Sequence, residues 1–186
     1  MTRPLTDQPL TPRPFMARLL ALALLAVPGL AAAQDAPQEI AGPVTLQTSD
    51  EAAALDGERN AVRAVIASLF DGMRAADTSA VRAAFHPGAT LQSVVPAGDG
   101  YRLGPGSIDA FVAALGQPHD AAWDERVGPI AVEVDAGLAQ AWMDYAFYAG
   151  DTFSHCGVNA MQLVRTDAGW QILHIVDTRR RECKDR

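Results

Sequence analysis

Lysine is nearly missing from this chain: Lys184 is the only one among 15 basic residues, which stand against 22 acidic ones. Cysteine occurs twice, histidine four times, and aromatic residues make up 6%. There is no G-x-S-x-G elbow, no glycine-rich phosphate loop, no G-x-G-x-x-G turn and no H-E-x-x-H pair. Each absence removes the chemistry that such a motif positions. The histidines, at 86, 119, 155 and 174, show neither H-x-H nor H-x3-H spacing, so no metal and no other cofactor is expected. A net charge of -7 makes nucleic acid and anionic lipid poor partners.

The longest apolar run, "LLALALLAVPGL" at 19–30, is too short to span a bilayer. Arg18 precedes it and "AAAQDA" follows, the pattern of a secretory signal with an A-x-A cut before Gln34. Met16 offers a second start close to the run. No cysteine stands at the junction to carry a lipid. The expected organisation is a signal peptide over 1–33, a flexible leader over 34–48, and one domain over 49–186. Removing 1–33 takes away three arginines and one aspartate, which leaves a mature net charge of -9. The mature protein is then periplasmic or secreted, with no membrane contact.

Export gives the two cysteines a meaning. In an oxidising compartment Cys156 and Cys183 are expected to pair, which contributes about 3.5 kcal/mol in the chain-entropy model. No C-x-x-C and no neighbouring ligand set favours a reactive thiol instead.

Val62, Ile66, Leu69, Phe70 and Met73 recur at helical spacing and predict a helix from near Asp50. Asp77 caps a second, short helix that ends at "HPG", and Ser107 caps a third, "IDAFVAALG". "ATLQSVV" and "GYRL" read as a small hairpin between them. From Glu125 onward the chain reads as antiparallel strands: "ERVGPIAVEV", "LAQAWMDYAFY", "SHCGVNAMQLVR" and "WQILHIVDTR". Both "DAG" triplets, at 135–137 and 167–169, fit three-residue hairpin loops with glycine in the left-handed position. Helices early and an antiparallel meander late indicate an α+β domain, with the helices on one face of a curved sheet.

The stretches "DTSAVRAAFHPGATLQS", "GSIDAFVAAL" and "IAVEVDAGLAQAWMDYAFY … GVNAMQLVRTDAGWQILHI" resemble the nuclear transport factor 2-like superfamily. The likeness spans residues 50 to about 181, and its nearest branches are the SnoaL-like and "putative lumazine-binding" ones. It implies a cone-shaped half-barrel with three helices on its concave face, a pocket between helices and sheet, and a homodimer formed through the outer sheet face. Members include isomerases, cyclases and dehydratases beside proteins of no known activity, so the fold selects no reaction.

With "DAG" at 167–169 as the loop, Leu163 pairs with Leu173, Met161 with Ile175, Asn159 with Asp177, and Gly157 with Arg179. One face then carries Leu163, Leu173, Met161 and Ile175, and runs into Asn159, Asp177, Arg179 and His155. An apolar floor that meets convergent polar groups is the pattern of a ligand pocket. His174 falls on the opposite face. On the preceding strand Ala141, Met143, Tyr145 and Phe147 form the apolar, inward set, which brings Tyr145 toward His155, and Trp142 and Asp144 point out. The ligand-binding set expected is therefore Tyr145, His155, Asn159, Asp177 and Arg179.

Two readings of that pocket follow. In the favoured one the protein binds a small, partly apolar molecule without turning it over. In the other it is a cofactor-free isomerase, dehydratase or cyclase, with Asp177 or His155 as general base and Tyr145 or Asn159 as donor to an oxyanion. Against catalysis, Asp177 has a structural partner close by in Arg179, Arg180 or Asn159. His86 reads as a helix-end residue bonded to the last carbonyls, and Trp170 as core. Trp123 and Tyr101 either line an opening or serve as amphipathic cover. The disulfide carries a geometric demand. On a straight strand Cys183 ends roughly 10 Å from Cys156 at ~3.3 Å per residue. Either the tail turns back after the arginines or the strand bulges at "HCG".

Overall fold

A computed structural model describes residues 48–183. The expected signal peptide, and the leader apart from Thr48, lie outside the described residues. Among the described residues no helix is long and apolar enough to cross a membrane.

Helix α1 (Ser49–Arg74) opens with a capping box. Thr48 Oγ1 accepts from the Glu51 amide at 3.3 Å, and the Thr48 amide donates to Glu51 Oε2 at 2.8 Å. Asp50 and Glu51 in the first turn and Arg74 in the last both suit the helix dipole. Its buried stripe is the expected one: Val62, Ile66, Leu69, Phe70 and Met73 are each 5% exposed or less. Helix α2 (Thr78–Ala84) is capped by Asp77, whose Oδ1 accepts from the Ser79 and Ala80 amides. Ser107 caps α3 (Ile108–Leu115).

Strands β1 (Phe85–Ala97) and β2 (Gly100–Pro105) form the early hairpin. They are followed by β3 (Trp123–Val127), β4 (Ala131–Asp135), β5 (Leu138–Ala149), β6 (Thr152–Thr166) and β7 (Gly169–Thr178). The sheet order is β2-β1-β7-β6-β5-β3, with β4 also on β5. All pairings are antiparallel except β1 with β7, which is parallel. The curved, unclosed sheet with three helices is the α+β cone that the sequence implies, and α1 lies across β3, β4 and β7.

Four local expectations need correction. The stretch "ERVGPIAVEV" forms two strands, because Pro129 has no N–H for the ladder. Its neighbour Gly128 donates to the Asp144 carbonyl at 2.9 Å, which fixes the break. The early hairpin joins the sheet beside β7 in parallel, so the sheet is mixed. The "DAG" turns are also tighter than three residues: Thr166 pairs with Gly169, and Asp135 with Leu138. In the first of these turns the left-handed residue is Ala136 (φ 49).

The last correction concerns register. A two-residue turn places Leu163 opposite Ile172, one residue off the expected pairing. A bulge between Gln162 and Leu163 then leaves Leu173 without a partner on β6. Beyond it the expected pairs appear: Met161 with Ile175 and Asn159 with Asp177. So Ile172, fully buried, takes the inner position assigned to Leu173, which is half-buried. His174 lies on the outer side, its Nδ1 2.5 Å from Thr90 Oγ1.

Candidate functional site

A cavity of about 390 Å³ lies between the helices and the inner sheet face. Its floor is apolar: Leu69, Phe70 and Met73 from α1, Phe85 and Leu91 from β1, Met161 from β6 and Ile175 from β7. Its other side carries Phe111 from α3, Trp123 and Glu125 from β3, Tyr145 and Phe147 from β5, and His155 and Asn159 from β6. Asp177 from β7 and Arg179 just beyond its end complete the wall. Strand alternation explains this grouping, because residues two apart share a face. All five residues of the expected ligand set therefore lie on one wall.

Asp177 is 5% exposed and accepts three hydrogen bonds. Its Oδ1 accepts from Ser93 Oγ at 2.5 Å. Its Oδ2 accepts from Tyr145 Oη at 2.9 Å and from Arg179 Nε at 2.8 Å. Three of about four lone-pair positions are in use. Tyr145 Oη also lies 3.0 Å from the Thr178 carbonyl oxygen, so its one proton has two acceptors, both within the protein. Burial, then the charge of Asp177 and the hydrogen bond to it, push the Tyr145 phenol well above its ordinary range, so it stays a neutral donor.

Tyr145 reaches this position because residue 157 is glycine. A Cβ there would lie 2.7 Å from Tyr145 Cε1 and inside the van der Waals shell of the Thr178 carbonyl oxygen. Next to it, Cys156 and Arg180 exchange two backbone hydrogen bonds of 3.0 Å each. The chain then bends at residues 181–182, and Cys183 bonds to Cys156 with a Cα–Cα distance of 6.0 Å. Of the two solutions expected for the disulfide, the tail turns back.

His155 makes no hydrogen bond to Asp177. Ser154 Oγ lies 3.0 Å from its Nδ1, and the ring stacks on Phe147 at 5.1 Å and meets Tyr145 edge-on at 5.7 Å. Burial, then the charge of Arg179, lower its pKa, with Asp177 opposing them, so the imidazole is neutral at pH 7.

The sequence reading missed Glu125. It is paired across the ladder with Phe147 and shares a strand face with Trp123 and Val127. Its Oε1 accepts from Asn159 Nδ2 at 2.7 Å, and Oε2 has no partner among the described residues. Burial, followed by the charge of Asp177, pushes its carboxyl up to about 7, against the Asn159 hydrogen bond and the charge of Arg179. The alternation Trp123–Glu125–Val127, apolar on both sides of the carboxylate, was the signal available for it. Ser93 was also missed, and it reaches Asp177 only through the parallel pairing of β1 with β7.

The aromatic residues divide between the two roles expected for them, and Trp170 is core as expected. Trp123 lines the cavity, stacked on Phe111 at 6.5 Å with Phe147 edge-on at 6.2 Å. His119 lies tilted against Trp123, with ring centroids 4.5 Å apart. Tyr101 is 79% exposed on β2 and takes no part. Trp170 is core, with Nε1 donating to Glu58 Oε2 at 2.8 Å. His86 accepts at Nδ1 from the Gly88 amide at 3.0 Å instead of bonding the helix carbonyls, because Phe85 already begins β1. Among the described residues no three His, Cys, Asp or Glu side chains gather as a metal ion requires.

A family model described as "putative lumazine-binding" matches residues 57–176. No curated protein matches the chain. Solved structures of similar fold include an NTF2-like protein with a cystatin-like fold from Novosphingobium aromaticivorans, at 19% identity and a TM-score of 0.54. That match covers 73% of this chain and 92% of the other. A structure titled as a putative dehydratase from the NTF2-like family of Streptomyces avermitilis aligns at 14% identity and a TM-score of 0.53, over 67% of this chain and 97% of its own. One titled as a putative scytalone dehydratase, again from Novosphingobium aromaticivorans, aligns at 12% and 0.53, over 67% and 85%. At such identities the likeness carries the fold alone.

Proposed function

The chain belongs to the "putative lumazine-binding" family of the nuclear transport factor 2-like superfamily, and from that premise we propose that its cavity binds a small, partly apolar molecule. One observation carries the reading. The apolar floor meets a polar cluster whose buried carboxylate, Asp177, already accepts from Ser93, Tyr145 and Arg179. The groups left with hydrogen-bonding capacity, Glu125, His155 and Arg179, then serve a ligand, and Asn159 and Tyr145 hold the frame around them. Native mass spectrometry of the full chain expressed with export tests this. A co-purified mass is expected from at least one host; a clean apo mass from several hosts overturns tight binding.

A second reading, cofactor-free proton transfer in an isomerase, dehydratase or cyclase, is favoured by the unlike hydrogen bonding of the two carboxyl groups. Asp177 and His155 were the candidates from sequence. The base in this reading is Glu125, which has a free oxygen and a carboxyl that titrates near neutrality. Loss of turnover with retained binding in Glu125→Gln supports it, and unchanged turnover removes it.

Periplasmic or secreted placement is part of the proposal, and the Cys156–Cys183 disulfide is consistent with an oxidising compartment. So is a homodimer through the outer sheet face, where Leu138 and Trp142 are more than half exposed. The same native spectra give the oligomeric mass that checks it.

A further inference from the structure

The segment past β7 is tied down at few points. The β6–β7 ladder ends where Asn159 faces Asp177. Beyond it the Val158 amide donates to Thr178 Oγ1 at 3.1 Å, and the Arg179 amide reaches the Val94 carbonyl oxygen at 3.3 Å. Arg180 then makes an isolated bridge with Cys156. Arg181 and Glu182 are exposed, and the next fixed point is the bond from Cys183 to Cys156. Cys156 therefore holds the segment twice, through its backbone at Arg180 and through its sulfur at Cys183. A lone bridge after the last rung of a ladder opens locally at low cost, so the covalent tie decides whether it stays closed.

Arg179 lies inside this clamp. It lines the cavity, whereas Arg180 does not and has Nη1 3.5 Å from Thr178 Oγ1. Its own side-chain anchor is Nε on Asp177 Oδ2 at 2.8 Å, with the side chain 48% exposed, and a half-exposed pair holds little by itself. Resting on the reading that Arg179 serves the cavity, we propose that the Cys156–Cys183 disulfide is a positioning element of the site. It fixes where the Arg179 guanidinium stands, and its reduction withdraws that charge from the cavity while the rest of the domain stays folded.

A small dithiol carries out the opening. Its thiolate attacks the exposed Cys183 sulfur and forms a mixed disulfide there, and the Cys156 sulfur leaves as a thiolate and takes up a proton. The second thiol of the reagent then displaces Cys183. Two cysteine thiols form, and the dithiol is oxidised to a cyclic disulfide.

His155 reports where the guanidinium stands. The titratable groups that share its cavity are Asp177 and Arg179 at the end of β7, Tyr145 on β5 and Glu125 on β3, whereas α1 presents Leu69, Phe70 and Met73, and α3 presents Phe111. Burial, then the charge of Arg179, lowers the His155 pKa, and Asp177 opposes them. Withdrawal of Arg179 leaves the carboxylate to act on the imidazole without its counter-charge, so the His155 pKa rises.

The test is an NMR titration of the histidine rings in the full chain expressed with export, with the His155 signal identified by its loss in His155→Gln. The protein is titrated with the disulfide closed, and again after reduction with dithiothreitol in the absence of oxygen. An upward shift of the His155 pKa is expected on reduction, and Cys183→Ser should show the same raised value with no reductant. In Arg179→Gln the value is raised already and reduction adds nothing, a result that a merely structural bond would not give. Amide exchange at Arg179 and Arg180 is expected to speed up by about tenfold or more, with Met161 and Ile175 still protected. An unchanged His155 titration in the reduced, folded protein overturns the proposal. A rise on reduction in Arg179→Gln as well also overturns it, because the guanidinium is then not the cause. Loss of protection at Met161 and Ile175 on reduction overturns it too, since the bond then holds the whole fold. No ligand enters these measurements, so each failure leaves the binding reading standing.

Discussion

Asp177 at the end of β7 and Glu125 on the edge strand β3 line one cavity, and the protein treats them in opposite ways. Asp177 accepts from a serine of β1, a tyrosine of β5 and an arginine just past its own strand, so its carboxylate ties β1 and β5 to the end of β7. Glu125 is held by one asparagine and keeps an oxygen for something else. A buried carboxylate supplied with three donors is a structural cross-tie, whereas one left under-supplied in an apolar wall is costly for folding and available for function. The difference separates a region built for order from one built for contact.

The strongest way to break that contrast is to disturb the β7 end. Gly157→Ala puts a methyl group into the space of Tyr145 and the Thr178 carbonyl, so β6 and β7 must part. A loss above about 3 kcal/mol is expected by urea titration, since backbone blocks relaxation of the overpacked site. If stability changes by less than a third of that, the close approach is not what holds this end.

Asp177→Ala comes next. It leaves Ser93, Tyr145 and Arg179 without their acceptor, and the expected cost is about 3 kcal/mol, moderated because the Arg179 side chain is 48% exposed. Reading the midpoint shift at constant slope checks it. A cost near zero would place Asp177 in the same category as Glu125 and dissolve the comparison.

The smallest effect is at Glu125, and it has the opposite sign. Its folded-state pKa, about 7, lies above the ordinary value of 4.5 for a solvated glutamate. The folded state therefore holds the extra proton between those values, and stability falls as pH rises from about 4.5 to 7. Below that window the group contributes no penalty; above it the penalty is complete. Glu125→Gln should flatten this slope and stabilise the protein at pH 8 by about 2 kcal/mol, discounted from the full shift because part of the carboxyl faces the cavity. Chemical denaturation at pH 5 and pH 8 reads both arms. A Gln variant less stable than the parent at pH 8 would make Glu125 a structural residue after all.

Most of the frame was legible because it is written locally. The α1 stripe, the caps at Asp77 and Ser107, and the inward set Ala141, Met143 and Tyr145 each need only a neighbour three, four or two residues away. What was lost depends on partners far along the chain. Ser93 lies 84 residues from Asp177, and no local period announces a parallel pairing. Glu125 was open to discovery in part, since its strand alternation points inward. Reading it through Pro129 as one long strand hid the fact that β3 and β4 occupy different halves of β5.

Asn159 and Asp177 came out opposite each other although the turn assumed for them was one residue too long. The two-residue turn and the bulge at Leu173 together restore the phase. The bulge therefore decouples the hairpin tip from the cavity: turn geometry sets the pairs from Leu163 to Thr166, and the stretch beyond keeps its own phase. Lengthening the turn by one residue while deleting the bulge would leave every pair beyond Gln162 in place. In this fold the tip of the last hairpin is free to drift in sequence and length without carrying the chemistry of the wall with it.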